Sequence, residues 1–428
     1  MEKTIVCPQA DGKYIRIDHS SGVTIFYYPT PNKSKSCAMI ATRFGSINCV
    51  FQKRDSEEWM TAPDGIAHFL EHKLFEGPQG NAFDFYAKTG AKANAYTSND
   101  KTAYYFIAAD RFYDSLEILL QFIKNPYFTP ENVEKEKGII GQEIRMYDDE
   151  ATWRGYLALT KALYQKHPVR IDIAGTEESI APITDQTLYD CYNVFYDNSN
   201  LALFIAGDLE LDKILSLCDK KLGTARNTQI HQKFPKEPEE IMCDFSKIQM
   251  DIARPVFFIG IKDCEGGISG PAGARHDICV KLLSDALFGP SGAFYSRLYK
   301  DGVINSEFSV DYERGVGYGF LLFSGESDDA HAVLEAVREI CDHFDENVIS
   351  EEMFVRVRNA LYGDLIRMLD SASAIVNKFL NNWICGCDIF EELRALETVS
   401  LQEVNETAAK LLNRNRIALS LVNPKKER

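Results

Sequence analysis

Residues 68 to 72 read His-Phe-Leu-Glu-His, and this spacing constrains the fold more than any other stretch of the chain. Two imidazoles four residues apart meet only on a helix, where side chains at i and i+4 sit one turn above each other. A helix here offers two nitrogen donors to one tetrahedral zinc ion. Glu71, three residues after His68, shares that side and can reach a water held there without being a ligand. Phe69 and Leu70 face away and can anchor the helix in a core. A hydrolytic zinc site wants three protein donors and one open position. The fold must therefore bring a third donor to this helix from elsewhere.

The chain has 428 residues, 45% hydrophobic and 26% charged, which is too long for one ordinary domain and predicts two or more. A formal net charge of −16 with no basic block argues against a nucleic-acid binder. Met1 to Asp18 mixes charged and polar residues with short apolar steps, so no secretory leader is read there. No stretch approaches the ~18 uncharged apolar residues a membrane span needs. Eleven Cys lie scattered without a framework spacing, which fits reduced thiols and predicts a cytoplasmic protein.

Strands are expected at Thr24 to Tyr28, Ser36 to Arg43, Ala103 to Ala108 and Leu201 to Ala206, all rich in β-branched and aromatic residues. Helical patterns fall between them at Ala67 to Phe75, Phe112 to Asn125 and Glu131 to Tyr147. The polar run 225–240, with two Pro, reads as a linker. Beyond it come a strand at Pro255 to Ile261, a helix around Ala274 to Leu287 and a strand at Gly319 to Phe323. Helices then follow at Ala330 to Phe344 and Glu352 to Leu369. The expectation is an α+β protein with two related layered domains, 1–224 and 241–428, joined by 225–240.

The third donor is sought in the helix after Thr129-Pro130, where Thr129 suits an N-cap and Pro130 the first helical position. Glu136, Ile140, Glu143 and Tyr147 fall on one stripe of it. Glu131 and Glu134 read as a solvated helix start favoured by the helix dipole. By its position alone, Glu143 is as readily an exposed acidic residue as a ligand.

The order H-x-x-E-H, then Asn94-Ala95-Tyr96-Thr97, then Glu136-Lys-Gly-Ile-Ile-Gly-Gln-Glu143 resembles the pitrilysin/insulinase family of inverted-motif zinc peptidases, the inverzincins. The likeness runs densely from about residue 60 to 210, through HFLEHKLFEG, TAYY, HPVR and AGT, and thins in the second half. Within the family it is nearest the bacterial processing-peptidase-like branch. NPYFTPENVEKEKGIIGQEI and HPVRIDIAGT resemble proteins associated with 5-aminopentanol modification of elongation factor P. The resemblance implies paired α/β sandwich-like domains in a half-clamshell, with 1–224 bearing the metal. It further implies one zinc per chain on His68, His72 and Glu143, with Glu136 supporting a ligand from behind. Asn94, Ala95 and Tyr96 match the family's edge strand, to which an extended peptide substrate adds.

Zinc chemistry would lower the pKa of water to about 7 and polarise a carbonyl. Glu71 would take the proton and pass it to the leaving amine. The family completes this site with an Arg and a Tyr from the second half. Aligned on Gly302, Tyr299 stands in place of the Arg and Asn305 in place of the Tyr. Tyr299 carries no cation, and Asn305 lacks a phenol to bind an oxyanion. A related zinc-less subunit supplying both residues is the expectation; a homodimer, or Arg297, Tyr299 or Tyr295 in altered geometry, is the other route.

Overall fold

The computed structural model describes residues 1–425 apart from Asp11, 225–228 and 346–347. A seven-stranded sheet holds β1 (Glu2–Cys7), β2 (Gly12–Asp18), β3 (Thr24–Pro29), β4 (Ser36–Thr42), β5 (Lys92–Thr97), β6 (Thr102–Ala108) and β7 (Leu201–Gly207). Its spatial order is β1-β2-β3-β7-β4-β6-β5. β7 runs parallel to β3; the other pairings are antiparallel. Every residue of β4 and β7 is buried, because elements cover both faces of these central strands. That is why they read as continuous apolar runs and not as alternating ones.

A five-stranded sheet holds β8 (Phe245–Met250), β9 (Val256–Lys262), β10 (Ser309–Gly315), β11 (Tyr318–Glu326) and β12 (Ile417–Pro424), in the order β8-β12-β9-β11-β10. Here too one pair is parallel, β8 with β12, and the rest antiparallel. In the first half β4 leads to α1 (Ile66–Leu74), β5, β6, α2 (Phe112–Lys124), α3 (Pro130–Asp148), α4 (Ala151–Leu163) and β7. In the second, β9 leads to α5 (Gly270–Phe288), β10, β11, α6 (Ala330–Asp342), α7 (Glu351–Met368), α8 (Ala372–Ile384) and β12. The two halves share one topology, as the duplicated element order predicts.

The compact units do not follow the contiguous division at 224 and 241 that the sequence suggests. One comprises Met1–Ile144, Asp172–Phe234 and Ile366–Ile384; the other Arg145–Ile171, Pro235–Leu365 and Cys385–Arg428. Each sheet is thus covered by a helix from the other half of the chain. In the first unit, Phe379 of α8 meets Tyr14, Phe26 and Phe204 at ring-centroid distances of 4.9, 5.4 and 6.3 Å. Arg43 lies 3.7 Å over the ring of Trp383 and donates to its carbonyl at 3.0 Å. In the second unit, α4 packs Leu159, Ala162 and Leu163 against Phe258, Phe320 and Ala418. Two glycines allow that approach: a Cβ on Gly155 would stand 2.4 Å from Phe258, and one on Gly260 would stand 2.6 Å from Leu163. Amphipathic periodicity shows that a helix has a buried face but not which sheet receives it.

The start of the expected linker, 225–228, lies outside the described residues. The remainder is docked. In the first unit His231 and Lys233 exchange backbone bonds with Gln52 and Val50. In the second, the Glu237 carboxylate accepts from the backbone N–H groups of Gln165, Lys166 and His167 and from the buried Lys262 ammonium at 2.7 Å. Burial alone would raise the Glu237 carboxyl, but these donors outweigh it and hold it below its ordinary 4.5. A carboxyl depressed in the folded state adds stability above its ordinary pKa, and that stability is lost as pH falls through the folded value. Glu237→Gln is therefore expected to cost roughly 3 kcal/mol at neutral pH by removing the counter-charge of a buried ammonium, which keeps only the Pro238 and Glu240 carbonyls as further acceptors. The gap to wild type should close as pH falls below the ordinary carboxylate value, a comparison that paired urea-unfolding curves would make.

Candidate metal centre

Every residue of α1 except His72 is buried. Phe69 and Leu70 are completely enclosed, which fixes the helix by its apolar side. Its start is clasped by the segment Ala174-Gly175-Thr176. Gly65 and Gly175 both take positive φ, +90° and +74°. A Cβ on Gly65 would stand 2.4 Å from the Ala174 carbonyl, and one on Gly175 2.5 Å from that of Asp64. Ser179 Oγ donates to the Asp64 carbonyl at 2.8 Å. The backbones interlock where only glycine fits.

α3 begins as its sequence predicts. The Thr129 hydroxyl accepts from the Asn132 N–H at 3.2 Å, the Asn132 side chain returns the bond at 3.0 Å, and Pro130 is the first helical residue. Glu131 and Glu134 are exposed, while Glu136 and Ile140 are buried and Glu143 is half-buried. The stripe of two carboxylates and an Ile thus faces α1.

The two helices bring His68, His72 and Glu143 together, with one donor atom from each lying within 4.8 Å of the others. His68 Nε2 is 3.6 Å from Glu143 Oε1, and His72 Nε2 is 3.4 Å from Glu143 Oε2. Donors about 2.0–2.2 Å from one tetrahedral ion stand roughly 3.3–3.6 Å apart, so these separations and the N,N,O donor set fit zinc. Burial, and then the neighbouring His72, push the His68 imidazole down to about 4, which keeps it neutral, the form that binds a metal. Glu136 Oε1 accepts from His72 Nδ1 at 3.1 Å, which leaves Nε2 facing Glu143. Burial would raise the Glu136 carboxyl, but His72 and the Lys73 ammonium outweigh it and lower it.

Glu71 is buried on the same helix, and its Oε2 accepts from Thr97 Oγ1 at 3.1 Å. Burial pushes its carboxyl up to about 7, against the lowering by His72 and Thr97. A carboxyl poised near neutrality suits proton transfer. Thr97 ends β5, the edge strand, which among the described residues pairs on one side, with β6. Along that edge Asn94 is exposed, Ala95 is half-buried, and the Tyr96 hydroxyl donates to Asn377 of α8 at 3.1 Å. Spacing alone did not single out Thr97, Lys73 or Glu76. Thr97 is read in the sequence only as the end of NAYT, and Lys73 and Glu76 only as part of HFLEHKLFEG.

In the second unit, Tyr299 is 52% exposed and stacks on Tyr295 at 5.6 Å. Arg297 pairs with Glu339 at 3.2 Å, and Asn305 donates to Glu326 at 3.3 Å.

The profile of the insulinase family of peptidases (family M16) matches residues 59–177, and that of the M16 inactive domain matches 182–361. YmfH of Bacillus subtilis, an uncharacterized zinc protease, is 36% identical over 409 residues, 95% of each chain. This chain belongs to the M16 family. Human mitochondrial-processing peptidase subunit beta is 24% identical over 390 residues, 85% of this M16 chain and 77% of the relative. Among solved structures, an M16-like peptidase from Alicyclobacillus acidocaldarius is 32% identical with a TM-score of 0.91, covering 99% of this chain and all of that one. A protease from Helicobacter pylori, 18% identical with a TM-score of 0.81 over 96% of this chain and all of that one, shares the fold. The α+β fold with two domains is that of M16 peptidases. Among the described residues, no helix is long and apolar enough to cross a membrane.

The glycine clasp carries a direct test. Gly65→Ala is expected to destabilise the protein by more than about 1 kcal/mol, because it places a Cβ at positive φ against a carbonyl. Thermal unfolding of the variant beside wild type would measure this.

Proposed function

We propose that this M16 protein is a zinc metalloendopeptidase, with one zinc per chain held by His68, His72 and Glu143 and with Glu71 as general base. The observation that carries the reading is the convergence of three donor atoms within 4.8 Å beside a buried carboxyl. That carboxyl is hydrogen-bonded to the end of a free sheet edge. Zinc bound there supplies a Lewis acid that makes water acidic and polarises the scissile carbonyl. An extended peptide adds to β5 through its backbone, with Asn94, Ala95 and Tyr96 alongside, which leaves side-chain selectivity modest. Glu71 takes a proton from the attacking water as its oxygen bonds to the carbonyl carbon. It returns that proton to the amine as the C–N bond breaks. Glu136 holds the His72 ring in register throughout.

The oxyanion side comes, on this reading, from a second chain. Tyr299 and Asn305 cannot supply the cation and phenol, so a related zinc-less subunit provides an Arg and a Tyr in a cytoplasmic heterodimer. The relation to a processing-peptidase chain named as a subunit supports this arrangement. A second reading rests on the segments that resemble proteins associated with elongation factor P modification. In it the chain is a zinc-dependent assembly subunit and peptide hydrolysis is secondary. Mass measurement of elongation factor P after gene deletion tests it.

The main test pairs metal content with turnover. His68→Ala and His72→Ala are expected to lose zinc. Glu71→Gln should keep zinc and lose peptide hydrolysis by about 10²–10⁴-fold, the usual contribution of a general base. Zinc retained by His68→Ala would sink the ligand assignment. Bound zinc with no turnover dependent on Glu71 would favour the assembly role. Co-purification from the native host should bring the partner down, and full-rate cleavage by the chain alone would refute the shared site.

A further inference from the structure

Lys73 follows the proposed ligand His72, and its side chain is fully enclosed. An ammonium in such a place must be paired. It has two partners: Glu76 Oε2 at 2.5 Å and Glu136 Oε2 at 3.5 Å. Glu136 uses its other oxygen, Oε1, for His72 Nδ1 at 3.1 Å. Glu76 opens a small hairpin that starts two residues after α1 and pairs Glu76 with Asn81. The polar groups thus form one continuous chain, Glu76–Lys73–Glu136–His72, and the proposed hydrolysis assigns no role to its first two members.

We infer that Lys73 is a positioning residue for the metal centre: by holding Glu136 Oε2, it turns Oε1 toward His72 and so keeps His72 Nε2 facing Glu143. The inference rests on reading His68, His72 and Glu143 as zinc donors. Two effects oppose each other here. A cation near a divalent ion repels it, which would make Lys73 a burden on binding. Glu76 lies closer to Lys73 than Glu136 does, however, so the Lys73–Glu76 pair is nearly neutral as felt from the donors. Orientation then dominates, because the Glu136 side chain is only 6% exposed and without Lys73 would keep a single partner. Losing a group that orients a ligand from behind typically costs about 10–100-fold in metal affinity.

The test measures zinc affinity by chelator competition on wild type, Lys73→Met and His68→Ala, together with the absorption spectrum of the cobalt(II)-substituted proteins. Lys73→Met is expected to bind zinc at least about 10-fold more weakly and to shift the cobalt bands. A merely structural Lys73 would lower the melting temperature but leave the folded protein's zinc affinity and cobalt spectrum unchanged, and that result overturns the inference. Where Lys73→Met does not fold, Lys73→Met/Glu76→Gln removes the cation with its nearer carboxylate at constant net charge, and the same expectations apply. Wild type without zinc, or His68→Ala with unchanged zinc affinity, overturns the donor assignment itself and the inference with it.

Discussion

The centre depends on burying a polar helix. α1 carries two imidazoles, a carboxylate and an ammonium within nine residues, and only His72 of them is not counted among its buried residues. Each such group costs free energy unless it finds a partner. Thr97 answers Glu71, Glu136 answers both His72 and Lys73, and Glu76 answers Lys73 a second time. What is left over is the inward-facing Nε2 of each histidine, opposed only by Glu143. The donor triangle remains once Glu71, Lys73 and the outer nitrogen of His72 have been answered; on the same helix His68 Nδ1 is buried without a hydrogen-bond partner. Because the partners come from β5, α3 and the hairpin after α1, satisfying them also fixes how these elements pack.

The duplicated topology supplies an internal control. α5 occupies in the second unit the place that α1 occupies in the first, and it too carries polar groups against the sheet. There His276 donates to Asp263 at 2.7 Å, Tyr312 donates to the same carboxylate at 2.6 Å, and Arg314 pairs with Asp277 at 2.6 Å. Burial would lower the His276 imidazole, but Asp263 outweighs it and raises it. These groups satisfy one another, and among the described residues no second set of His, Cys, Asp or Glu donors converges as His68, His72 and Glu143 do. The same architecture therefore yields an open constellation in one half and a closed network in the other. Both halves pair a cation with an acid, Lys73 with Glu76 and Glu136 in the first and Arg314 with Asp277 in the second; they differ in that His68, His72 and Glu143 converge in the first.

Much of this was legible in the residues. The His68–His72 spacing required a helix, and Thr129-Pro130 marked the start of the second one. The buried central strands were visible as apolar runs. β8 and β10 were not, since FSKIQM and SVDYERG are edge strands whose polar residues need no apolar partner on the open side. That α4 and α8 each cover the sheet built by the other half of the sequence was equally hidden, because periodicity specifies a face and not its recipient. Glu143 shows the limit most clearly. By its position alone it is as readily an exposed acid as a ligand, and what supports the proposed ligand role is the family resemblance together with its 3.6 and 3.4 Å distances to two histidine nitrogens. Lys73 was invisible for a related reason: in sequence a lysine beside a histidine on a helix is an ordinary exposed cation.

Tyr299 and Asn305, aligned with the missing Arg and Tyr, and the alternative Arg297 bear on the proposed division of labour. Arg297 is tied to Glu339, Asn305 to Glu326 and to the Glu307 backbone, and Tyr299 lies stacked on Tyr295. Asn305 would have to give up a charge-assisted bond in its own unit to serve an oxyanion, Tyr299 a ring contact, and Arg297 an exposed ion pair worth less than about 1 kcal/mol. Losing one oxyanion donor costs about 10²–10³ in rate, and recruiting a committed residue adds the cost of its broken bond. A second chain that arrives with an uncommitted Arg and Tyr avoids that cost. The metal side can then be complete within one unit, as its geometry suggests, while the remainder of the proposed active site is left to assembly.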